Sequence, residues 1–372
     1  MTGTDTPQSF SAAVLVALGQ PLRIIDGIKI PDLRPGQVLV RVYYAGVCHS
    51  QVMEARGHRG PDRFLPHMLG HEGTGEVVAI GQGVRKVAVG DRVVLGWIKG
   101  EGAEAGGSRY EGPNGETINA GGVTTFSEYT VVSENRLIVA PPNTPLDLAV
   151  LYGCALPTGA GIVLNELQPE AGSTIAVVGL GGIGICALMA ARTFQPSMLI
   201  AVDVEPEKLA LAKTLGATHC IDAGAGDPVA LVKELTGGGV RYAVEAAGTT
   251  RTIEQAFDML RRGDSLLIFA SHPPNGSRIS IDPYELICGK RIRGSWGGAS
   301  SPDRDIPILD TLYAGGQLPL KPLLSRTYSL SNVNQAITDL ENRKIVRALI
   351  EIAAPPDGPA AYVKGRGREQ EA

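Results

Sequence analysis

The chain has 372 residues, 44% hydrophobic and 19% charged, with a mean hydropathy of +0.07. A formal net charge of −4 and a pI near 5.9 leave no electrostatic case for nucleic acid or an anionic membrane surface. No run of about 18 apolar residues is present to span a bilayer, and residues 1–11 lack the apolar centre of a signal peptide. Length favours two domains, and 48 glycines favour an α/β fold with many tight turns. Five cysteines, an odd number in a long chain, argue against a disulfide scaffold and for a reducing compartment, so a cytoplasmic location is expected.

Residues 12–45 read as short β segments, at Ala12–Ala17 and Gln37–Tyr44, with turn chemistry between them at residues 31–36. Further strands are expected at Gly75–Ile80, Arg92–Leu95 and Ser127–Val132, giving an all-β, barrel-like first third. Residues 97–122 are rich in glycine and read as a long, mobile loop, with Trp97, Lys99, Arg109 and Tyr110 as candidate contacts for substrate or a neighbouring subunit.

From Thr174 the pattern changes. The continuous apolar run Ile175–Val178 marks a strand buried on both faces. A helix follows at Ile183–Ala191, a strand at Leu199–Asp203, a helix at Pro206–Leu215, then strands at Ala243–Ala246 and Leu266–Ala270. Such alternation implies a parallel, doubly wound sheet. Helices are expected at Ile306–Ala314 and Asn332–Asn342, and a last strand at Arg347–Ile352. The tail from Ala353, with a short basic cluster flanked by Glu369 and Glu371, reads as a solvated, disordered end.

Val178-Gly179-Leu180-Gly181-Gly182-Ile183-Gly184 fits the G-x-G-x-x-G pattern, directly after a buried strand and opening a helix. In that pattern Gly179 permits the tight turn, Gly181 lets backbone approach a pyrophosphate, and Gly184 lets helix and strand pack closely. Amide groups at the helix start, Gly182 and Ile183 among them, would face the diphosphate. Asp203 ends the next strand, about 20 residues on, where an acid meets the ribose hydroxyls. Its carboxylate repels a 2′-phosphate, and Val204-Glu205-Pro206-Glu207 offers no arginine to receive one, so NAD is favoured over NADP. Lys208 is a further candidate for the ribose. Asp203 read blandly is the cap of a turn.

Beyond this turn, several ordered motifs stand out: residues 70–78 (GHEGTGEVV), 89–93 (VGDRV), 125–129 (TFSEY) and 215–218 (LGAT). With them the chain resembles the zinc-containing alcohol dehydrogenases of the medium-chain dehydrogenase/reductase superfamily, over most of residues 12–352. The resemblance implies a GroES-like β-barrel catalytic domain, residues 1–155 and 297–372, with a Rossmann domain inserted at 156–296. It also implies one catalytic zinc held by Cys48, His71 and Cys154, a ligand set recognised from the family, with the fourth position open to polarise a substrate oxygen. His49 and Arg347 match contacts to the coenzyme diphosphate, and Thr158 a further coenzyme contact. Glu72 matches a glutamate beside the zinc. Ser50 matches the hydroxyl that shares the substrate alcohol's proton. Read blandly, the cysteines and His71 are packing, Glu72 is a buried carboxylate paired with an arginine, and Ser50 is a turn serine.

Three departures from the family matter. Met53 stands where the proton relay often ends in a histidine, so the relay must use water, ribose hydroxyls or a group such as His272. Gln51 stands where an aspartate usually supports the ligand histidine. Residues 97–122 contain no cysteine, which excludes the four-cysteine structural zinc lobe. The expectation is a homodimeric or homotetrameric, NAD-linked alcohol dehydrogenase or carbonyl reductase, with Trp97 and Trp296 shaping the pocket for a small alcohol or carbonyl substrate. Ser50 would shuttle the proton while hydride passes between the carbinol carbon and the nicotinamide. A zinc-binding reductase of a conjugated C=C bond and a non-catalytic NAD-binding member are the rival readings.

Overall fold

The structure, a computed structural model, describes residues 7–270 and 272–356. In chain order its first half runs β1 (Ser9–Leu15), β2 (Arg23–Lys29), β3 (Gln37–Val47), α1 (His49–Ala55), β4 (His67–Met68), β5 (Glu72–Ile80), β6 (Arg92–Gly96), β7 (Arg109–Glu111), β8 (Thr117–Asn119), β9 (Tyr129–Ser133), β10 (Leu137–Val139), α2 (Leu146–Ala149) and α3 (Ala155–Gly161). The second half runs β11 (Thr174–Val178), α4 (Gly182–Arg192), β12 (Met198–Asp203), α5 (Pro206–Thr214), β13 (His219–Asp222), α6 (Pro228–Thr236), β14 (Tyr242–Glu245), α7 (Thr250–Asp258), β15 (Ser265–Phe269), α8 (Pro283–Ile287), β16 (Lys290–Gly294), α9 (Pro302–Ala314), β17 (Leu324–Ser329), α10 (Val333–Glu341) and β18 (Arg347–Glu351). The basic cluster of the tail lies outside the described residues.

Strands β1, β2, β7, β8 and β4 close a small barrel. Beside it lies a mixed sheet in the order β10-β6-β5-β3-β18-β17, with β9 also paired to β3. Strand β3 is central and buried along nearly its whole length, so most of its residues, QVLVRVYYAGV, are apolar on both faces, with Arg41 the exposed exception. It runs antiparallel to β5 and β18, with Ala45 opposite Gly73 and Val47 opposite Ala348. The end of β3 and the starts of β5 and β18 therefore meet at one rim of the sheet.

The other half is a six-stranded parallel sheet in the order β13-β12-β11-β14-β15-β16. The chain winds outward from β11 to β13, then returns to start again at β14 beside β11. That reversal opens a crevice at the carboxyl ends of β11 and β14, the usual place for a ligand in such sheets. Helix α3 packs tightly on α4: a Cβ on Gly159 would lie 2.2 Å from the Ile183 carbonyl oxygen. The segment after Cys154 is thus held directly against the helix that follows the glycine turn.

The expected mobile loop is a different object. Its residues 109–111 and 117–119 form a hairpin that completes the barrel, with Tyr110 and Ile118 buried against Phe10 and Met68. Tyr110 thereby serves the core, its hydroxyl accepting the Val131 N–H at 2.8 Å. Before the hairpin, Glu104 gathers Lys99, the Gly106 N–H, Ser133 and Asn135. Among the described residues no single helix is long and apolar enough to cross a membrane. The apolar pair Leu146–Gly153 and Ala155–Leu167 is bent by 56° and supplies much of the main core.

Candidate functional site

Cys48 caps the start of α1 just past the end of β3, His71 precedes the first residue of β5, and Cys154 caps α3. Their ligand atoms all lie within 4.8 Å of one another. The two sulfurs are 4.0 Å apart, and His71 Nε2 is 3.2 Å from Cys154 Sγ. A tetrahedral zinc with bonds of about 2.0–2.3 Å needs ligands about 3.5–3.8 Å apart, so the donor set fits such an ion in size and chemistry. The two thiols also share a proton: Cys154 donates toward Cys48, which holds the Cys48 thiol well below the usual range and Cys154 well above it.

Glycines beside both cysteines make room for Glu72. A Cβ on Gly46 would lie 2.4 Å from Glu72 Oε1, and one on Gly153 would lie 2.7 Å from Glu72 Cβ. Glu72 is fully buried and ion-pairs with Arg347, itself 3% exposed at the start of β18. Burial pushes the Glu72 carboxyl upward, and the guanidinium opposes it. Glu72 Oε2 has no partner although it is buried, an orphaned acceptor beside the triad. This buried pair is the bland reading of Glu72, and its arginine is the residue expected at the diphosphate. Arg347 Nη1 also lies 2.9 Å from where a Cβ on Gly182 would sit, so one guanidinium spans the space between triad and glycine turn.

Gln51 and Ser50 lie behind His71. Gln51 Oε1 accepts the Cys48 N–H at 2.8 Å, and its Nε2 contacts His71 Nδ1. Ser50 Oγ is 3.4 Å from the same ring nitrogen. Met53 is buried one turn further along α1.

In the glycine turn each glycine has its own reason. Gly179 adopts φ +87°, and a Cβ there would strike Ala247 N at 2.5 Å. A Cβ on Gly184 would lie 1.8 Å from the Gly179 carbonyl oxygen. On Gly181 it would meet nothing within 4 Å, so no neighbouring protein atom demands that glycine. Its open side is a cradle that a Cβ would fill. Asp203 closes the far side, Oδ2 accepting the Leu180 N–H at 2.6 Å and Oδ1 the N–H groups of Val204 and Glu205. Asp203 therefore does cap a turn, and that bonding ties it to the glycine segment. Ile183 is half-buried at the start of α4.

The remaining expected residues are more scattered. Thr158 is buried in α3 with a hydroxyl that has no partner. His49 is exposed on α1, and Lys208 is half-buried on α5. Trp97 and Trp296 touch edge to face with ring centroids 5.1 Å apart, and Trp296 is 82% exposed. His272 is exposed, its Nδ1 2.9 Å from the neighbouring Pro273 carbonyl oxygen. Two features went unread in the sequence. Arg343, at φ +59°, reaches 3.7 Å to Glu205 beside the Asp203 turn. Glu54, Asp62 and His67 form a second cluster, in which His67 Nε2 is 2.8 Å from Asp62. The first joins segments that only the fold brings together, and the second, although its residues lie within 14 positions, follows no regular spacing.

Residues 34–142 match the family model for the alcohol dehydrogenase GroES-like domain, and residues 182–312 match that for zinc-binding dehydrogenases. An S-(hydroxymethyl)glutathione dehydrogenase from Synechocystis is 32% identical over 365 residues, covering 91% of this chain and 98% of that protein. Among solved structures, an alcohol dehydrogenase zinc-binding domain protein from Burkholderia ambifaria superposes with a TM-score of 0.86 at 34% identity, covering 93% and 99% of the two chains. Benzyl alcohol dehydrogenase from Acinetobacter calcoaceticus superposes at 0.85 with 31% identity, covering 93% and 100%. With this barrel, this parallel sheet and these relatives, the chain belongs to the zinc-containing alcohol dehydrogenase family of the medium-chain dehydrogenase/reductase superfamily.

Proposed function

We propose that the chain is an NAD-linked alcohol dehydrogenase or carbonyl reductase, with Cys48, His71 and Cys154 holding one catalytic zinc. The observation that carries this reading is the meeting of three metal-ligand atoms within 4.8 Å at the sheet rim, joined through Arg347 to an open glycine turn. Zinc, when bound, supplies Lewis-acid polarisation of a substrate oxygen. Ser50 takes up the proton of the substrate hydroxyl during oxidation and returns it during reduction, and a bound nicotinamide would supply the hydride chemistry at the carbinol carbon. Because Met53 carries no proton, Ser50 exchanges it with water or the ribose hydroxyls.

On the coenzyme side, the amides of Gly182 and Ile183 and the guanidinium of Arg347 receive the diphosphate, with His49 at its edge and Thr158 against the coenzyme. The carboxylate of Asp203, with Glu205 beside it, takes ribose hydroxyls and repels a 2′-phosphate, which favours NAD over NADP; Lys208 adds a donor there. We assign residues 1–155 and 297–372 to the catalytic domain and 156–296 to the coenzyme domain, with residues 1–6, 271 and 357–372 lying outside the described residues. All five cysteines are free, which suits a reducing, cytoplasmic setting, and a homo-oligomer is the expected assembly.

The test is zinc content of the wild type and Cys154→Ser, followed by an NAD-linked screen of alcohols, polyols and aldehydes. Benzyl alcohol and S-(hydroxymethyl)glutathione belong in that panel because relatives bear those names. The expected result is about one zinc per chain, lost on substitution, with NADH formed from at least one alcohol. Zinc content unaffected by the serine would remove Cys154 from the ligand set. Full zinc with no turnover of any substrate would favour a non-catalytic role.

A further inference from the structure

The residue behind the ligand histidine has a hydrogen-bonding problem that can be read from donors and acceptors alone. Gln51 occupies the third position of α1, and its carbonyl oxygen is taken by the N–H of Cys48, the residue that caps the helix. That bond satisfies one of the amide groups a helix start leaves unpaired, and Gln51 is only 2% exposed, so water does not substitute for it. The other end of the carboxamide, an NH₂ group with donors and no acceptor, is the end that meets His71 Nδ1. A ring nitrogen that accepts from an NH₂ carries no proton. In the neutral imidazole the ring proton then sits on Nε2, the nitrogen 3.2 Å from Cys154 Sγ and the one turned toward the triad.

A metal held through Nε2 needs the opposite arrangement, with the proton on Nδ1 and an acceptor to receive it. Turning the carboxamide around supplies that acceptor but aims the NH₂ at the Cys48 N–H, donor against donor. Either way the oxygen, although it has two lone pairs, points to one of the two N–H groups while the NH₂ points to the other. The other acceptor in reach is Ser50 Oγ, at 3.4 Å from Nδ1. Drawing on it would engage the hydroxyl proposed above to handle the substrate's proton.

We propose that Gln51 is a positioning residue whose amide oxygen, turned to the cap of α1, leaves its NH₂ against His71 Nδ1, holds His71 in the tautomer opposed to metal coordination through Nε2 and so loosens the metal centre. This rests on the reading of Cys48, His71 and Cys154 as metal ligands. A carboxylate at this position would offer an acceptor to both N–H groups. Gln51 thus sets metal affinity without touching metal or substrate.

The experiment has two readouts. Zinc-loaded wild type and Gln51→Glu are titrated with a chromophoric chelator at one pH, with Cys154→Ser as the control for the site itself. Gln51→Glu is expected to hold zinc about 10–100-fold more tightly, the scale on which partners of a ligand histidine act. In parallel, histidine-selective ¹⁵N spectra of the wild type, recorded after the chelator has displaced the zinc, report which ring nitrogen of His71 carries the proton. Nε2 is expected in the wild type and Nδ1 in Gln51→Glu. A proton on Nδ1 in the wild type, which needs no variant to fold, overturns the proposal, as does a Gln51→Glu chain that binds zinc no more tightly. If Cys154→Ser retains zinc as well as the wild type, it is the ligand assignment that fails.

Discussion

The triad draws Cys48 from the end of β3, His71 from the approach to β5 and Cys154 from the turn before α3, whereas the glycine turn is one unbroken stretch between β11 and α4. The two regions adjoin, yet they are built by opposite means. Around the triad, buried polar groups hold one another: Glu72 needs Arg347, and the Cys48 amide needs Gln51. At the glycine turn the working feature is missing side chains, two of them forced by neighbouring backbone and one by nothing in the protein. A region made of mutual dependence fails by uncompensated charge, and a region made of space fails by collision.

The largest expected effect tests collision. In Gly184→Val the new Cβ meets the Gly179 carbonyl oxygen at 1.8 Å, and neither backbone can yield without breaking the strand–turn–helix unit. We expect a loss above about 4 kcal/mol, seen as a collapse in soluble yield and thermal midpoint. The next tests mutual dependence. Arg347→Met leaves the Glu72 carboxylate buried and unpaired, at a cost of about 3–5 kcal/mol in urea unfolding. An unchanged urea midpoint would show that Glu72 does not depend on Arg347, and the contrast between the regions would fall.

Smaller effects sharpen it. Tyr110→Phe removes the acceptor of a buried Val131 N–H in the barrel behind the triad, and about 1–2 kcal/mol should be lost. Glu104 is held down to about 2, first by Lys99 and then by the Gly106 N–H and Ser133 against some burial. Its folded value lies below the ordinary 4.5, so its contribution is complete above that pH and fades as pH falls toward 2. Amide exchange in residues 97–107, corrected for intrinsic rate, should accelerate across that window. A wild type matching Glu104→Gln at pH 6 would show that the carboxylate anchors nothing. The smallest change in stability is expected for Gly181→Ala, within about 0.5 kcal/mol, because its Cβ meets no protein atom. NADH affinity should nevertheless fall by about tenfold, ~1.4 kcal/mol. Equal affinity would mean that the open side of Gly181 receives no coenzyme.

The same division explains what the sequence made legible. Strands β11 and β12 and helices α4 and α5 were readable because buried parallel strands leave continuous apolar runs and the glycine turn is local. Edge strand β16, KRIRG, carries charges on its open side and hides among them, and β13 is only four residues long. The hairpin at 109–119 was hidden because the eight glycines of residues 97–122 and its short strands look like a loop until Tyr110 and Ile118 find the barrel interior. The triad was legible only through resemblance, since residues from three segments have no shared period. The bland reading of Glu72 had it paired with an arginine, but which arginine was beyond reading for the same reason: Arg347 is 275 positions away.

Trp97 and Trp296 are the only tryptophans of the chain, and they are in contact. One follows β6 of the mixed sheet, and the other follows β16 at the edge of the parallel sheet. The intrinsic emission of the protein is therefore a built-in gauge of a single seam. With Trp296 82% exposed, a small dissolved quencher reaches that seam from outside. Any closing or sliding of one half against the other would register as a change in colour or quenching, without a label.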